Sequence, residues 1–186
     1  MPRRFLTLSQ GPPKLLSMNP SRRPFNILFV CTGNICRSPM AVGILESVLS
    51  PQALATAKVS SAGTGAMNGM PASENSIRAC EEEGIDIVRH RSRVITRNLL
   101  ETSDLVLAME RHHADAMRRL APDLSDRIHL LSQYAADGNP AVQGGVPDPI
   151  GGDLEDYRLI FAELRDQIRA ALPRLEREIA EAPVEP

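Results

Sequence analysis

The residues Cys31-Thr32-Gly33-Asn34-Ile35-Cys36-Arg37-Ser38-Pro39 place a thiol and a guanidinium at the two ends of a short loop. An apolar run, Phe25 to Val30, leads into the thiol, and a helical pattern follows Pro39. A loop that feeds a helix N-terminus presents unpaired backbone N–H groups and the positive end of the helix dipole. Gly33 and Asn34 are residue types that accept left-handed backbone, so successive N–H groups can turn inward around an anion. Arg37 adds a planar, permanently charged fork suited to two phosphate oxygens. A thiol in such a setting ionises readily, its pKa falling from about 8.5 into the range of roughly 3.5–7.5. Cys31 is therefore expected to be a thiolate nucleophile facing a phosphate. Thr32, Gly33, Asn34, Ile35, Cys36, Arg37 and Ser38 are expected to bind that phosphate. Ser38 can donate a hydrogen bond to the thiolate and help it leave again.

Taken alone, a Cys-x5-Arg match arises by chance, and Cys31 and Cys36 could be small buried hydrophobes. Cleaving a phosphomonoester through phosphocysteine also needs an acid for the leaving group, then a base for water. One carboxyl can do both. The candidate is Asp148, in Pro147-Asp148-Pro149-Ile150-Gly151-Gly152, a stiffened loop that opens the last helical pattern. An Asp between prolines is otherwise a turn or cap residue. Metal chemistry is not expected. Cys31 and Cys36 lack convincing partner ligands, and His112-His113 falls on a polar helix that reads as solvated surface. No cofactor is implied. A reversible Cys31–Cys36 disulfide could protect the nucleophile, the alternative being that Cys36 is a packing thiol.

These groups need a scaffold. Asn26–Val30 is apolar at nearly every position, as a strand buried on both faces should be. A helix is expected from about Pro39 to Leu49, stopped by Ser50-Pro51. A strand over Lys58–Ser61 leads into Ala62-Gly63-Thr64-Gly65. A helix over Ala72–Glu83 ends at Gly84. Thr96 caps a short helix to Leu100. A strand over Asp104–Met109, a helix over Arg111–Leu120, and a strand over Ile128–Leu131 follow. Gly138 to Gly152 reads as loop. Asp153 to Ile179 is a long closing helix that Pro173 could kink or break. Strands and helices alternate at βαβ spacing, so the expected fold is α/β. It is a single domain with a four-stranded parallel sheet flanked by helices on both faces, the phosphate loop following the first strand. Cys31 then lies at a C-terminal strand end, where such sheets bind ligands.

Composition excludes several classes of function. The chain has 186 residues, enough for one domain with a full core, and is 42% hydrophobic and 24% charged. A net charge of -2 gives no electrostatic case for nucleic acid. No apolar run is long enough to span a bilayer. Three cysteines, Cys31, Cys36 and Cys80, do not form a secreted disulfide framework, and cytoplasmic localisation is expected. Residues 1–24 carry Arg3, Arg4, Lys14, Arg22 and Arg23, several prolines and no acid. They read as a disordered extension, one that could precede a working start at Met18. A short targeting segment is the alternative. The domain is expected over 25–182, with a tail at 183–186.

The stretch Val30 to Pro39 resembles the signature of the low-molecular-weight protein tyrosine phosphatases, and Asp148-Pro149 resembles that family's late acid loop. The resemblance covers about residues 26 to 180. It includes Ser60-Ser61-Ala62-Gly63-Thr64-Gly65, Gly84-Ile85-Asp86 with His90-Arg91-Ser92-Arg93, and Asp104 to Met109. It implies metal-free, two-step hydrolysis of a phosphorylated protein, with Cys31 as nucleophile, Arg37 as clamp and Asp148 as acid then base. It also implies that Asn34, Ser61 and His90 support the loop. Two departures concern the substrate. Where phosphotyrosine enzymes of the family usually carry aromatics, this chain has Ile150 and, near the second strand, Met67, so Ile35, Met67 and Ile150 are the expected pocket walls. The Asp-Pro-x-Gly-Gly loop also looks like the related protein-arginine phosphatases, but those typically have a Thr where this chain has Ile35. An apolar side chain there suits an aryl ring, so phosphotyrosine is favoured over phosphoarginine. The related arsenate reductases need further thiols after the third strand, where this chain has Ala108-Met109-Glu110. A phosphate-binding module without turnover is the remaining alternative, and an intact Cys31, Arg37 and Asp148 argues against it.

Overall fold

Strand β1 (Phe25–Cys31) lies inside the sheet, paired in parallel with β2 (Ala57–Gly63) on one edge and β3 (Leu105–Ala108) on the other. β3 in turn pairs in parallel with β4 (Ile128–Leu130), giving the order β2-β1-β3-β4 in a computed structural model that describes residues 23–139 and 144–182. Successive side chains of a strand point to opposite faces, and β1 shows what covers each. Ile27 and Phe29 pack in one cluster with Met40, Leu45, Leu164 and Ile168. Leu28 and Val30 pack in the other with Val106, Met117 and Ile128. The parallel sheet with helices on both faces is as the sequence pattern requires. The expected extension and tail fall almost wholly outside the described residues; of them only Arg23 and Pro24 are described.

The chain leaves β1 toward β2 and later crosses back to β3, so the end of β1 lies where the strand order reverses. That is the crevice in which such sheets hold ligands. Helix α1 (Arg37–Val48) rises directly from it.

Several helix ends differ from expectation. Ser50-Pro51 is a start as well as a stop: Ser50 Oγ accepts from Ala53 N, and Pro51 opens α2 (Pro51–Thr56). Helix α3 (Glu74–Glu81) begins later than Ala72 because Ser73 caps it, and Gly84 follows with φ at 75°. Helix α4 (Arg97–Glu101) carries the expected Thr96 cap, and α5 is Arg111–Leu120. A 3-10 turn, Pro122–Arg127, precedes β4, and Leu131 leaves the strand to begin α6 (Leu131–Ala135). Helix α7 (Leu154–Glu181) runs through Pro173. Arg169, whose carbonyl loses its donor to the proline, is exposed, so that carbonyl can turn to water. The buried stripe Ile168, Ala171, Leu175, Ile179 continues past it.

Candidate active site

β1 ends at Cys31 and α1 begins at Arg37, so the phosphate loop has little slack. Its outward carbonyls are taken by the segment after β2: Thr64 N donates to Cys31 O at 2.9 Å and Gly65 N to Thr32 O at 3.0 Å. A side chain on Gly63 would put its Cβ 2.3 Å from Thr32 O, so only glycine permits this approach. Asn34 turns the loop in the left-handed region, φ 56°. Its N–H then points back to Cys31 Sγ at 3.2 Å, and Ser38 Oγ lies 3.0 Å from the same sulfur.

Buried Asn34 is the hub of the loop's support. Its Nδ2 donates to Ser38 Oγ and Ser61 Oγ, each at 2.8 Å, and its Oδ1 accepts from Arg93 N at 2.9 Å. Its carbonyl lies 2.6 Å from His90 Nε2. Asn34, Ser61 and His90 are thus brought together, and Arg93 Nε joins them through Ser61 O at 2.8 Å. Burial pushes the His90 pKa down, opposed by the Asn34 carbonyl. Ser73 N secures the far side of the loop, donating to Ile35 O at 2.8 Å.

Arg37 is 1% exposed and gathers three chain-distant groups. Nη2 pairs with Asp148 Oδ2 at 2.5 Å, and Nη1 donates to Val146 O at 2.9 Å and to the Glu110 carboxylate. Its Nε is buried with no hydrogen-bond partner among the described residues, an open donor that an anion in the loop would satisfy. Cys31, Thr32, Gly33, Ile35, Cys36, Arg37, Asp148 and Ile150 line one cavity of about 170 Å³. Met67 does not line it and is 71% exposed. Ile150 N donates to Asp148 Oδ1 at 3.2 Å, the local turn expected of an Asp between prolines.

Sequence reasoning misses Glu110 and His113, and His113 corrects the surface reading directly: it is 0% exposed. Its Nδ1 accepts from Glu110 N at 3.1 Å, closing the N-terminus of α5, and its Nε2 lies 2.8 Å from Thr32 Oγ1. Burial holds its pKa down to about 4, helped by His112 and Arg37. Burial raises the Glu110 pKa, but Arg37 outweighs that and holds it below the ordinary value. The signal available in the sequence is an acidic residue three positions before a histidine at a helix start. Glu110, His112 and His113 bring ligand atoms within 4.8 Å of one another. The carboxylate is spent on Arg37 and both ring nitrogens of His113 are hydrogen-bonded, so this donor set does not suit a metal.

The other two thiols, Cys36 and Cys80, are both buried. Cys36 Sγ lies 3.4 Å from Tyr157 Oη and 3.6 Å from Ser73 Oγ, and burial raises its pKa against those two bonds. Cys80 is a core residue whose pKa burial pushes up to about 12.

An anion loop between a central parallel strand and a helix, closed by an arginine and faced by an aspartate, defines a phosphate-handling α/β protein. The model of the low molecular weight phosphotyrosine protein phosphatases matches residues 26–182, and the chain belongs to that family. It is 36% identical to the protein-arginine-phosphatase of Geobacillus stearothermophilus, over 83% of this chain and 99% of that protein. It is 36% identical to low molecular weight protein-tyrosine phosphatase A of Mycobacterium bovis, over 82% and 90%. The solved low molecular weight protein tyrosine phosphatase from T. tengcongensis superposes with a TM-score of 0.73 at 36% identity, covering 81% of this chain and 99% of that one.

Proposed function

We propose that the chain hydrolyses phosphotyrosine in proteins through a phosphocysteine on Cys31, without a metal. The Cys31 thiolate attacks phosphorus, and the bond to the phenolic oxygen breaks as Asp148 gives that oxygen its proton. Water then attacks phosphorus, losing its proton to the Asp148 carboxylate, and the P–S bond breaks. Sulfur leaves as thiolate, met by the Ser38 hydroxyl and the Asn34 N–H. The Arg37 Nε and the loop N–H groups hold the phosphoryl oxygens through both steps. The observation that carries this reading is Asp148 at Arg37, 111 positions away in the chain, on one cavity with Cys31.

The substrate follows from the walls. Ile35 and Ile150 are apolar and offer an aryl ring its contact. A phosphoarginine carries a guanidinium, which asks for acceptors on the wall. Among the described residues, the only carboxylate lining the cavity is Asp148 itself. The name of the Geobacillus relative favours protein-arginine phosphatase as the second reading. Peptides of each kind, assayed with wild type and Ile35→Thr, decide between them. Wild type should turn over phosphotyrosine faster, and Ile35→Thr should narrow the ratio. A wild type faster on phosphoarginine reverses the assignment. Three free thiols among the described residues fit a reducing compartment, the cytoplasm, and no helix there is long and apolar enough to cross a membrane.

A further inference from the structure

His113, a buried titratable group that reaches the cavity through Thr32, has no part in the chemistry above. Its ring is fixed from both sides. Nδ1 accepts the Glu110 N–H, which puts the ring proton on Nε2, and that proton is donated to Thr32 Oγ1 at 2.8 Å. Thr32 lies beside the nucleophile and lines the cavity. With its oxygen already accepting from His113, the Thr32 hydroxyl keeps its own hydrogen. Among the described residues Oγ1 has no other partner. The start of α5 also grips the other end of the loop, because the Glu110 carboxylate holds Arg37.

We propose that His113 is a positioning residue for the phosphate loop, acting through Thr32: it presents the Thr32 hydroxyl to the cavity as a donor for the phosphoryl group. The neutral ring is the form that can do this, and burial keeps it neutral above a pKa of about 4. The cap and the reach to Thr32 are separable. Asp156, in the equivalent place at the start of α7, caps its own helix with a short side chain, accepting from Asp153 N at 3.0 Å. Asn at position 113 can likewise keep the cap but cannot reach Thr32.

The inference rests on reading residues 31–38 as the phosphate site, and the test separates the two. Inhibition by inorganic phosphate is measured in wild type, Thr32→Val, His113→Asn and the double variant. Each single variant should weaken phosphate by about fivefold, the worth of one neutral hydrogen bond. The double variant should be no weaker than either single one, because both remove the same contact. For an aryl phosphate with a good leaving group, KM should rise more than kcat falls. Thr32→Ser, which keeps the hydroxyl, should restore wild-type inhibition. Multiplying effects in the double variant, or unchanged inhibition in His113→Asn, overturn the proposal. Should His113→Asn not fold, equal inhibition of Thr32→Val and Thr32→Ser overturns it alone. A wild type that does not bind phosphate at all would instead remove the site reading beneath it.

Discussion

Residues 31–38 and residues 146–152 meet at one cavity, yet they are held in opposite ways. The first segment is packed between β1, β2 and α1. Asn34 and Ser38 are 0% exposed, and side chains or amides from residues 61, 73, 90 and 93 fasten Asn34 and its neighbours. The second segment is fastened at its start, where Val146 N donates to Met109 O and Val146 O accepts from Arg37. Beyond that it opens: the Asp148 side chain is 33% exposed and Ile150 is 60% exposed. The difference matches what each half must do. The phosphoryl group is the same in every substrate, so its donors can be set rigidly in advance. In the proposed reaction the leaving group varies, and the residues assigned to meet it sit on an exposed turn where side chains can change without disturbing the core.

Substitutions can break this contrast. Cys31→Ser should abolish aryl-phosphate hydrolysis, a loss of about three orders of magnitude or more, while the fold survives, because serine keeps a partner for Ser38 and Asn34. Hydrolysis persisting at the wild-type rate would sink the phosphocysteine route. Asp148→Ala on the open side should cost about 100-fold in kcat for poor leaving groups and clearly less for good ones. Equal losses across a leaving-group series would deny it the acid role.

Asn34 tests the rigid side. Asn34→Ala removes three side-chain hydrogen bonds and leaves alanine at φ 56°, for a loss of about 2–4 kcal/mol in urea unfolding. Asn34→Gly loses the bonds but not the backbone fit, so it should unfold later than Asn34→Ala. Acid should also act on the rigid side. Burial depresses the His113 pKa to about 4, so the unfolded chain binds its proton first as pH falls. The stability linked to it is complete above about 6.5, the ordinary histidine value, and drains away toward pH 4. Thermal unfolding across that window should show a shallower slope in His113→Asn. The smallest effect is expected on the open turn: Ile150→Ala should raise KM for an aryl phosphate about threefold and leave the unfolding temperature unchanged.

The loop from Cys31 to Ser38 was legible because everything that shapes it is contiguous. An apolar strand, a left-handed Asn, a helix start and a fixed charge lie within a few residues of one another. The α/β layering was legible for the same reason, since each strand and helix announces itself through its own periodicity. Sequence and structure part where a local signal has two meanings. Ser50-Pro51 stops one helix and starts another, and Leu131 is apolar enough for a strand but begins a helix. Met67 sits near the second strand in sequence, but its segment is drawn toward residues 92–94, with Ser92 donating to Met67 O and Val94 N to Asn68 Oδ1.

His113 lies on a helix whose neighbours Arg111, His112 and Arg119 face solvent, and in sequence it shares their polarity. What buries it is strand order. β3 pairs with β1, Met109 N donates to Val30 O at 2.9 Å, and the start of α5 is thereby laid beside Thr32 and Arg37. By itself, then, the sequence determined the anion loop, the layered sheet and which carboxyl to look for as an acid, because backbone conformation and side-chain chemistry there depend on near neighbours. The tertiary structure alone decided which distant groups converge on Arg37 and Thr32. Contacts between segments 73 to 111 positions apart are set by the order in which parallel strands pair, and no local pattern of residue types encodes that order.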